Sequence, residues 1–229
     1  SYEAGPVAVL TNRLRFGEQG TLYTRADVNQ DNLSTAQRVS AEVRLGARHQ
    51  LVLSYVPLEL VTSARLPRDV RFEDELFPAG TPVESRYRFD GYRAVYLYRA
   101  VASGRLAWEI GGAFQIRAAF VELASRDGAR FARTSNVGPV PALSTRLTWR
   151  LAPGGAWTRL DATGLWAPGR GGLYDVAWTV GAPVALRGGL QAFAGLRFYG
   201  GGADVPGTYN FADFAFALAG LKVDLAGLR

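Results

Sequence analysis

About ten segments of this chain alternate residue by residue between apolar side chains and polar or small ones. A β-strand shows opposite faces at successive residues, so one face of such a segment can meet an apolar phase while the other meets a polar interior. The alternation predicts strands at 20–28, 37–47, 50–60, 86–99, 104–123, 140–151, 157–167, 172–183, 188–200 and 211–223. Links at 48–49, 100–103, 152–156 and 184–187 are tight and use turn formers such as Ser103-Gly104 and Pro153-Gly154-Gly155. Links at 29–36, 61–85, 124–139, 168–171 and 201–210 are mostly longer and rich in Pro, Gly, Asp and Asn. A count of about ten strands makes short and long links alternate without a break, with 8 or 12 as the alternatives. This is the pattern of an all-β, antiparallel up-and-down transmembrane β-barrel spanning 20–229, with short turns on the periplasmic side and longer loops outside. Residues 1–19 fit no clean strand and are expected to form a periplasmic extension, a lumen plug or an additional strand.

Side-chain parity separates the two faces. In 37–47, Val39, Ala41, Val43 and Leu45 share the face assigned to lipid, and Ser40, Glu42, Arg44 and Gly46 the face assigned to the lumen. Leu106, Trp108, Ile110, Phe114, Ile116 and Phe120 likewise oppose Arg105, Glu109, Gln115 and Arg117. Leu143, Leu147, Trp149 and Leu151 oppose Ser144, Arg146, Thr148 and Arg150. An arginine at a lipid midplane costs about 2–4 kcal/mol, so charged positions fix the parity more firmly than apolar ones. On that rule Arg93 and Arg99 point inward, while Tyr92, Tyr96 and Tyr98 point outward, where tyrosine suits an interfacial belt. A soluble barrel or sandwich also alternates, burying its apolar face and wetting the charged one. Long strands, outward Trp and Tyr near strand ends, and charges on the small-residue face favour the membrane barrel. In 211–223 the parity divides: Phe214, Phe216 and Leu218 on the outer face conflict with Val223 and Leu225 there unless a bulge intervenes.

Composition narrows this picture. The 229 residues, 48% of them hydrophobic, show no shift that would divide the chain, and no apolar run long enough for a membrane-spanning helix. Methionine is absent even at position 1, which is the expectation for a secreted chain whose signal peptide has been removed. Cysteine is absent too, excluding disulfides, thiolate metal sites and thiol catalysis. The net charge of +6 comes from scattered arginines, with Lys222 the sole lysine. No recognition motif accompanies that charge, so nucleic acid is not an expected partner.

The final strand, Leu218-Ala219-Gly220-Leu221-Lys222-Val223-Asp224-Leu225, resembles the assembly signal at the C-terminus of outer-membrane barrels, with Leu218 at its polar position and no terminal aromatic. Taken over about residues 20–225, the chain resembles small bacterial outer-membrane β-barrel proteins. Tyr87-Arg88-Phe89-Asp90-Gly91-Tyr92-Arg93 and Gly200-Gly201-Gly202-Ala203-Asp204, followed by Tyr209-Asn210-Phe211, look like motifs of an uncharacterised family of such barrels. The resemblance implies a bacterial outer-membrane location, porin-like architecture, and contact with outer-membrane lipid and lipopolysaccharide. A monomer or a part of a larger envelope assembly is expected.

Chemistry is sparse. Barrel proteases and lipid-modifying barrels rely on histidine, and the one histidine here, His49, falls in a predicted periplasmic turn beside Arg48 and Gln50 with no nucleophile pair. No enzymatic activity, cofactor or metal is expected. Glu42, Arg44, Arg93, Glu109, Arg117, Arg146, Arg159, Asp161, Asp175 and Arg197 are expected to form a mutually neutralising lumen network, because buried charges need partners. In the longest outer loop Arg71, Glu73, Asp74 and Glu75 form an exposed charged surface without the ligand spacing of a cation-binding loop. Gly200-Gly201-Gly202 lacks the helix and Lys of a phosphate cradle. Two functions follow: a structural, adhesive or partner-docking role through loops 61–85 and 124–139, or a narrow channel or ligand-binding barrel whose arginine-rich lumen favours anions or acidic solutes. A lipid-modifying enzyme is a third reading.

Overall fold

In the computed structural model, residues 1–31, 33–151, 155–184 and 189–224 are described. Their strands are β1 (Tyr2–Phe16), β2 (Tyr23–Thr24), β3 (Ser34–Leu45), β4 (His49–Arg65), β5 (Val70–Phe72), β6 (Glu75–Phe77), β7 (Pro82–Ser103), β8 (Leu106–Ser125), β9 (Phe131–Arg150), β10 (Trp157–Ala167), β11 (Gly171–Pro183), β12 (Leu190–Val205) and β13 (Thr208–Val223). Ten of them, all except β2, β5 and β6, pair antiparallel with their neighbours and close into a barrel through β1 and β13. The all-β, roughly ten-stranded barrel read from alternation is therefore present, but its first stave is misplaced. Residues 2–16 pair on one side with β13 and on the other with β3, so of the three expectations for this segment it is the additional strand, part of the wall, and neither plug nor extension. Segment 20–28 supplies only the two-residue β2 and a turn. Pro6 and a register shift between Val9 and Thr11 hid the stave by interrupting its alternation.

The expected turns at 152–156 and 184–187 and Leu225 fall partly or wholly outside the described residues. The flanking strands still pair directly, as in Trp157↔Arg150 and Pro183↔Gln191. The end carrying Ser1, Gly46, Gly104 and Asp224 is the turn end; the opposite end is the loop end. Loop-end connections are shorter than their sequence implied. Strands β8 and β9 run up to Ser125 and start again at Phe131, so 124–139 is mostly a paired hairpin, and β12 and β13 are joined at Pro206 and Gly207. Proline and glycine in these stretches mimicked loop.

On the outer surface Val39, Val43, Trp108, Ile110, Phe114, Ile116, Leu147, Trp149, Trp178 and Leu196 stand exposed as one apolar belt. Along β8 the belt runs from Trp108 to Ala118 and ends before Glu122. At ~3.3 Å per residue and a tilt of ~40° this is about 25 Å along the barrel axis. Above it the polarity reverses while the parity stays fixed. In β7, Tyr92 and Tyr96 are exposed below this line and Arg93 is inside; above it Arg86 and Arg88 face out while Tyr87 and Phe89 are buried. No single rule of polarity for the two faces therefore holds along 86–99.

Inside, the loop-end half is an apolar core in place of a polar lumen. Phe16, Tyr23, Val28, Leu66, Val70, Phe72, Phe77 and Tyr87 are buried together, so the loops 17–31 and 66–81 fold down as a cap. Phe72 is its centre, 4.8 Å from Phe16 and 6.2 Å from Tyr23 between ring centroids. Phe214 and Leu218 join this interior, whereas Leu221 and Val223 face out. The disputed strand therefore keeps one parity without a bulge, and Phe214 and Phe216 point inward.

Candidate functional site

The lumen charges sort by height into two clusters. In the upper one Asp175, 3% exposed, accepts from Arg93 Nη1 at 2.6 Å, Arg197 Nη1 at 2.9 Å and Arg38 Nη2 at 3.0 Å. Glu3 accepts from Arg197 Nη2 at 2.6 Å and lies 3.4 Å from Arg38 Nε. Gln115 ties the cluster to the apolar half: its Oε1 accepts from Arg93 Nε at 2.7 Å and its Nε2 donates to Tyr199 at 3.1 Å. Five charged side chains from five staves thus cross the lumen. Charge-assisted bonds of this kind are short and directional, which makes the cluster a rigid septum.

In the lower cluster Glu42 lies 3.5 Å from Arg146 Nη1 and 3.6 Å from Arg159 Nη1, and it accepts from Gln50 Nε2 at 3.0 Å and from Lys222 Nζ. Arg146 Nε donates to Asp161 at 2.6 Å, and Arg99 lies 3.3 Å from Glu109. Arg44 reaches only the rim, 3.9 Å from Asp224. Below this cluster a cup of about 560 Å³ opens at the turn end. Its cationic lining of Arg44, Arg99, Arg105, Arg146, Arg150, Arg159 and Lys222 outnumbers its acidic lining of Glu42, Glu109 and Asp224. Among the described residues Arg105 and Arg150 have no carboxylate partner, although their strands are bonded through Arg150 N–H and the Arg105 carbonyl at 2.8 Å.

Nine of the ten lumen residues named from sequence fall in these clusters or at the cup's rim. Arg117 does not: it lies in the apolar half with its guanidinium 5.5 Å from the Phe89 ring centroid, and its buried Nε has no partner. Sequence reasoning missed Glu3, Arg38, Gln115 and Lys222 as network members. Arg38 shares the parity of Glu42 and Arg44 and could have been found. Glu3 was hidden because its segment had not been read as a strand, and Lys222 because the parity of β13 was open.

The remaining candidates lie elsewhere. His49 opens β4 on the outer face, its Nδ1 2.6 Å from the Tyr96 hydroxyl, and Arg48 donates to Tyr98 at 3.0 Å. Arg71, Glu73, Asp74 and Glu75 belong to the β5–β6 hairpin of the cap, where Arg130 donates to Glu75 at 2.7 Å and Glu73 and Asp74 are exposed. Within the cap Asp27 is held by Arg68 Nη2 at 3.0 Å and the Thr24 amide at 2.7 Å. Burial disfavours its charged form, but those hydrogen bonds and the Arg68 charge outweigh burial and keep its carboxyl below the ordinary range. Burial pushes the Tyr23 phenol well above its usual value, so it is neutral at all working pH. No group of three or more His, Asp and Glu able to hold a metal ion occurs among the described residues. The sequence matches no family model and no curated protein.

Proposed function

We propose that this chain is an outer-membrane β-barrel, closed to passage along its axis, that binds acidic solutes in the cationic cup at its turn end. The observation that carries the ligand class is the excess of cup cations, with Arg105 and Arg150 unmatched by any described carboxylate. Unpaired guanidiniums in a concave site are ready donors for a carboxylate or phosphate. The membrane assignment is supported by the exposed apolar belt, whose height of ~25 Å equals that of an outward band in transmembrane barrels. Apolar area of that extent is more than a soluble monomer exposes. The septum around Asp175 and the capped loop end support a closed axis over a channel. The docking alternative keeps a smaller surface, the exposed Glu73 and Asp74 at the tip of the cap hairpin.

The membrane reading predicts extraction by detergent alone and folding into vesicles as β-structure; monodisperse behaviour without detergent would refute it. For the ligand, calorimetric titration of the folded protein with tripolyphosphate should give saturable binding. That binding should weaken in an Arg105→Ala, Arg150→Ala double variant and with salt. Equal binding by the double variant would remove the cup from consideration. In planar bilayers the unaltered protein should give no steady conductance.

A further inference from the structure

The barrel wall is open between β9 and β10. Their ladder runs from Trp157↔Arg150 only to Gly164↔Leu143, while β9 continues through Pro141 and Pro139 to Phe131, paired on its other edge with β8. Backbone groups alternate between the two edges of a strand, and Arg150 N–H points to the β8 side. Because the β8–β9 register is unbroken, odd-numbered positions of β9 point to the β10 side. Pro139 and Pro141 therefore occupy edge positions that would donate to β10, and proline has no N–H to give. The wall forks where pairing is chemically removed. Pro139 lies opposite Ile116 and Pro141 opposite Phe114, both belt residues, so the fork opens within the apolar belt.

Behind the fork lies a cavity of about 350 Å³. That is within the range of small-molecule sites, about 300–1,000 Å³. The inward position Gly138, where a Cβ would meet only Asn136 Oδ1 at 3.8 Å, carries no side chain to fill it. Tyr87, Phe89, Leu173 and Phe214 give it apolar walls, and Leu165 is 44% exposed toward it despite its inward parity. One polar feature has no internal explanation. Arg117, the ladder partner of Gly138, enters this space with no ion pair among the described residues and a buried Nε without an acceptor. Arg117 is half-buried with its Nε withdrawn from water, and a guanidinium so placed among apolar walls without an anion is costly. Arg170 borders the same cavity, also without a carboxylate among the described residues.

We propose that this cavity takes a single acyl chain bearing an anionic head from the surrounding bilayer, entering sideways between β9 and β10, with Arg117 meeting the head. This rests on the membrane reading above and is independent of the turn-end cup. The head is a carboxylate, as in a free fatty acid, or a phosphate, as in a lysophosphatidic acid; both offer the oxygens that a guanidinium binds.

The test uses the full chain folded in detergent micelles, with insertion into vesicles checked separately by flotation. A photoactivatable fatty acid should label residues 136–141 and 171–173, competed by oleate or lysophosphatidic acid, and the tighter competitor identifies the head. Labelling confined to outward belt residues would overturn the site while leaving the membrane reading intact; failure to float with vesicles would overturn that reading itself. Arg117→Gln should weaken oleate competition about tenfold relative to oleyl alcohol, the loss of one charge-assisted contact. Equal competition by the alcohol in the unaltered protein would overturn the role of Arg117. A Cβ at Gly138 meets only Asn136 Oδ1 at 3.8 Å, so Gly138→Phe fills the cavity without a backbone clash and should abolish labelling. Undiminished labelling in that variant, folded by circular dichroism, would overturn the cavity assignment.

Discussion

Replacing Asp175 by Asn tests whether the septum holds the barrel together. The substitution keeps the shape of the side chain and removes one charge, leaving Arg38, Arg93 and Arg197 facing a single carboxylate, Glu3. Asp175 is 3% exposed and its three partners between 8% and 14%, so the cluster is largely withdrawn from bulk water. Removing one member of a buried pair destabilises by about 3–5 kcal/mol. Glu3 still neutralises part of the cluster, and the carbonyl of the introduced amide can still accept one hydrogen bond, so the lower end applies. A loss of about 3 kcal/mol is about 150-fold in the unfolding constant. Urea titration in micelles, followed by Trp emission and checked for coincidence with circular dichroism, measures it. Adding Arg93→Gln to Asp175→Asn should restore part of the loss, because it removes one of the stranded cations. A change under about 1 kcal/mol, the value of an exposed pair, would show that the cluster is solvated and is no septum.

Phe72→Ala removes the ring at the centre of the cap and should cost about 3–5 kcal/mol there, read as early proteolytic nicking in 66–81 while the barrel stays folded; nicking unchanged from the parent would refute the cap core. Because Asp27 has its carboxyl below the ordinary value of 3.8, its contribution to the cap is complete above that pH and is lost as pH falls through the lowered value. Hydrogen exchange at the Thr24 amide should accelerate over that window, and Asp27→Asn should abolish the pH dependence. Glu73 has a φ of 51° in the β5–β6 turn, a region that favours asparagine over glutamate. Glu73→Asn should stabilise the cap by about 0.5–1 kcal/mol, and a destabilisation would refute strain at that turn.

Much of the architecture was legible in the chain because strand parity is strictly periodic and charge is expensive in an apolar layer. Val39 through Leu45, Trp108 through Ile116 and Leu143 through Trp149 declared their outward face, and Glu42, Glu109, Arg146 and Asp175 their inward one. Two things were not legible. Parity says which face a residue takes but not what lies on that face, and above Asp90 the outside is charged and the inside apolar, as Arg86 and Phe89 show. Proline ends pairing on one edge alone, which a single sequence cannot distinguish from the end of a strand; 131–139 looked like loop although its other edge is fully paired with β8.

What the sequence by itself determined is an antiparallel barrel of about ten strands with apolar residues out and charges in through its turn-end half, since those follow from local periodicity. What only the tertiary structure decided is closure by Tyr2–Phe16, the pairing of Glu3 and Arg38 with Asp175, the filled loop end and the fork at Pro139 and Pro141. Each depends on which distant segment lies alongside, such as Tyr2 beside Leu221 or Arg93 beside Asp175. Such neighbours are selected by the energy of the closed sheet as a whole, and no local pattern encodes them.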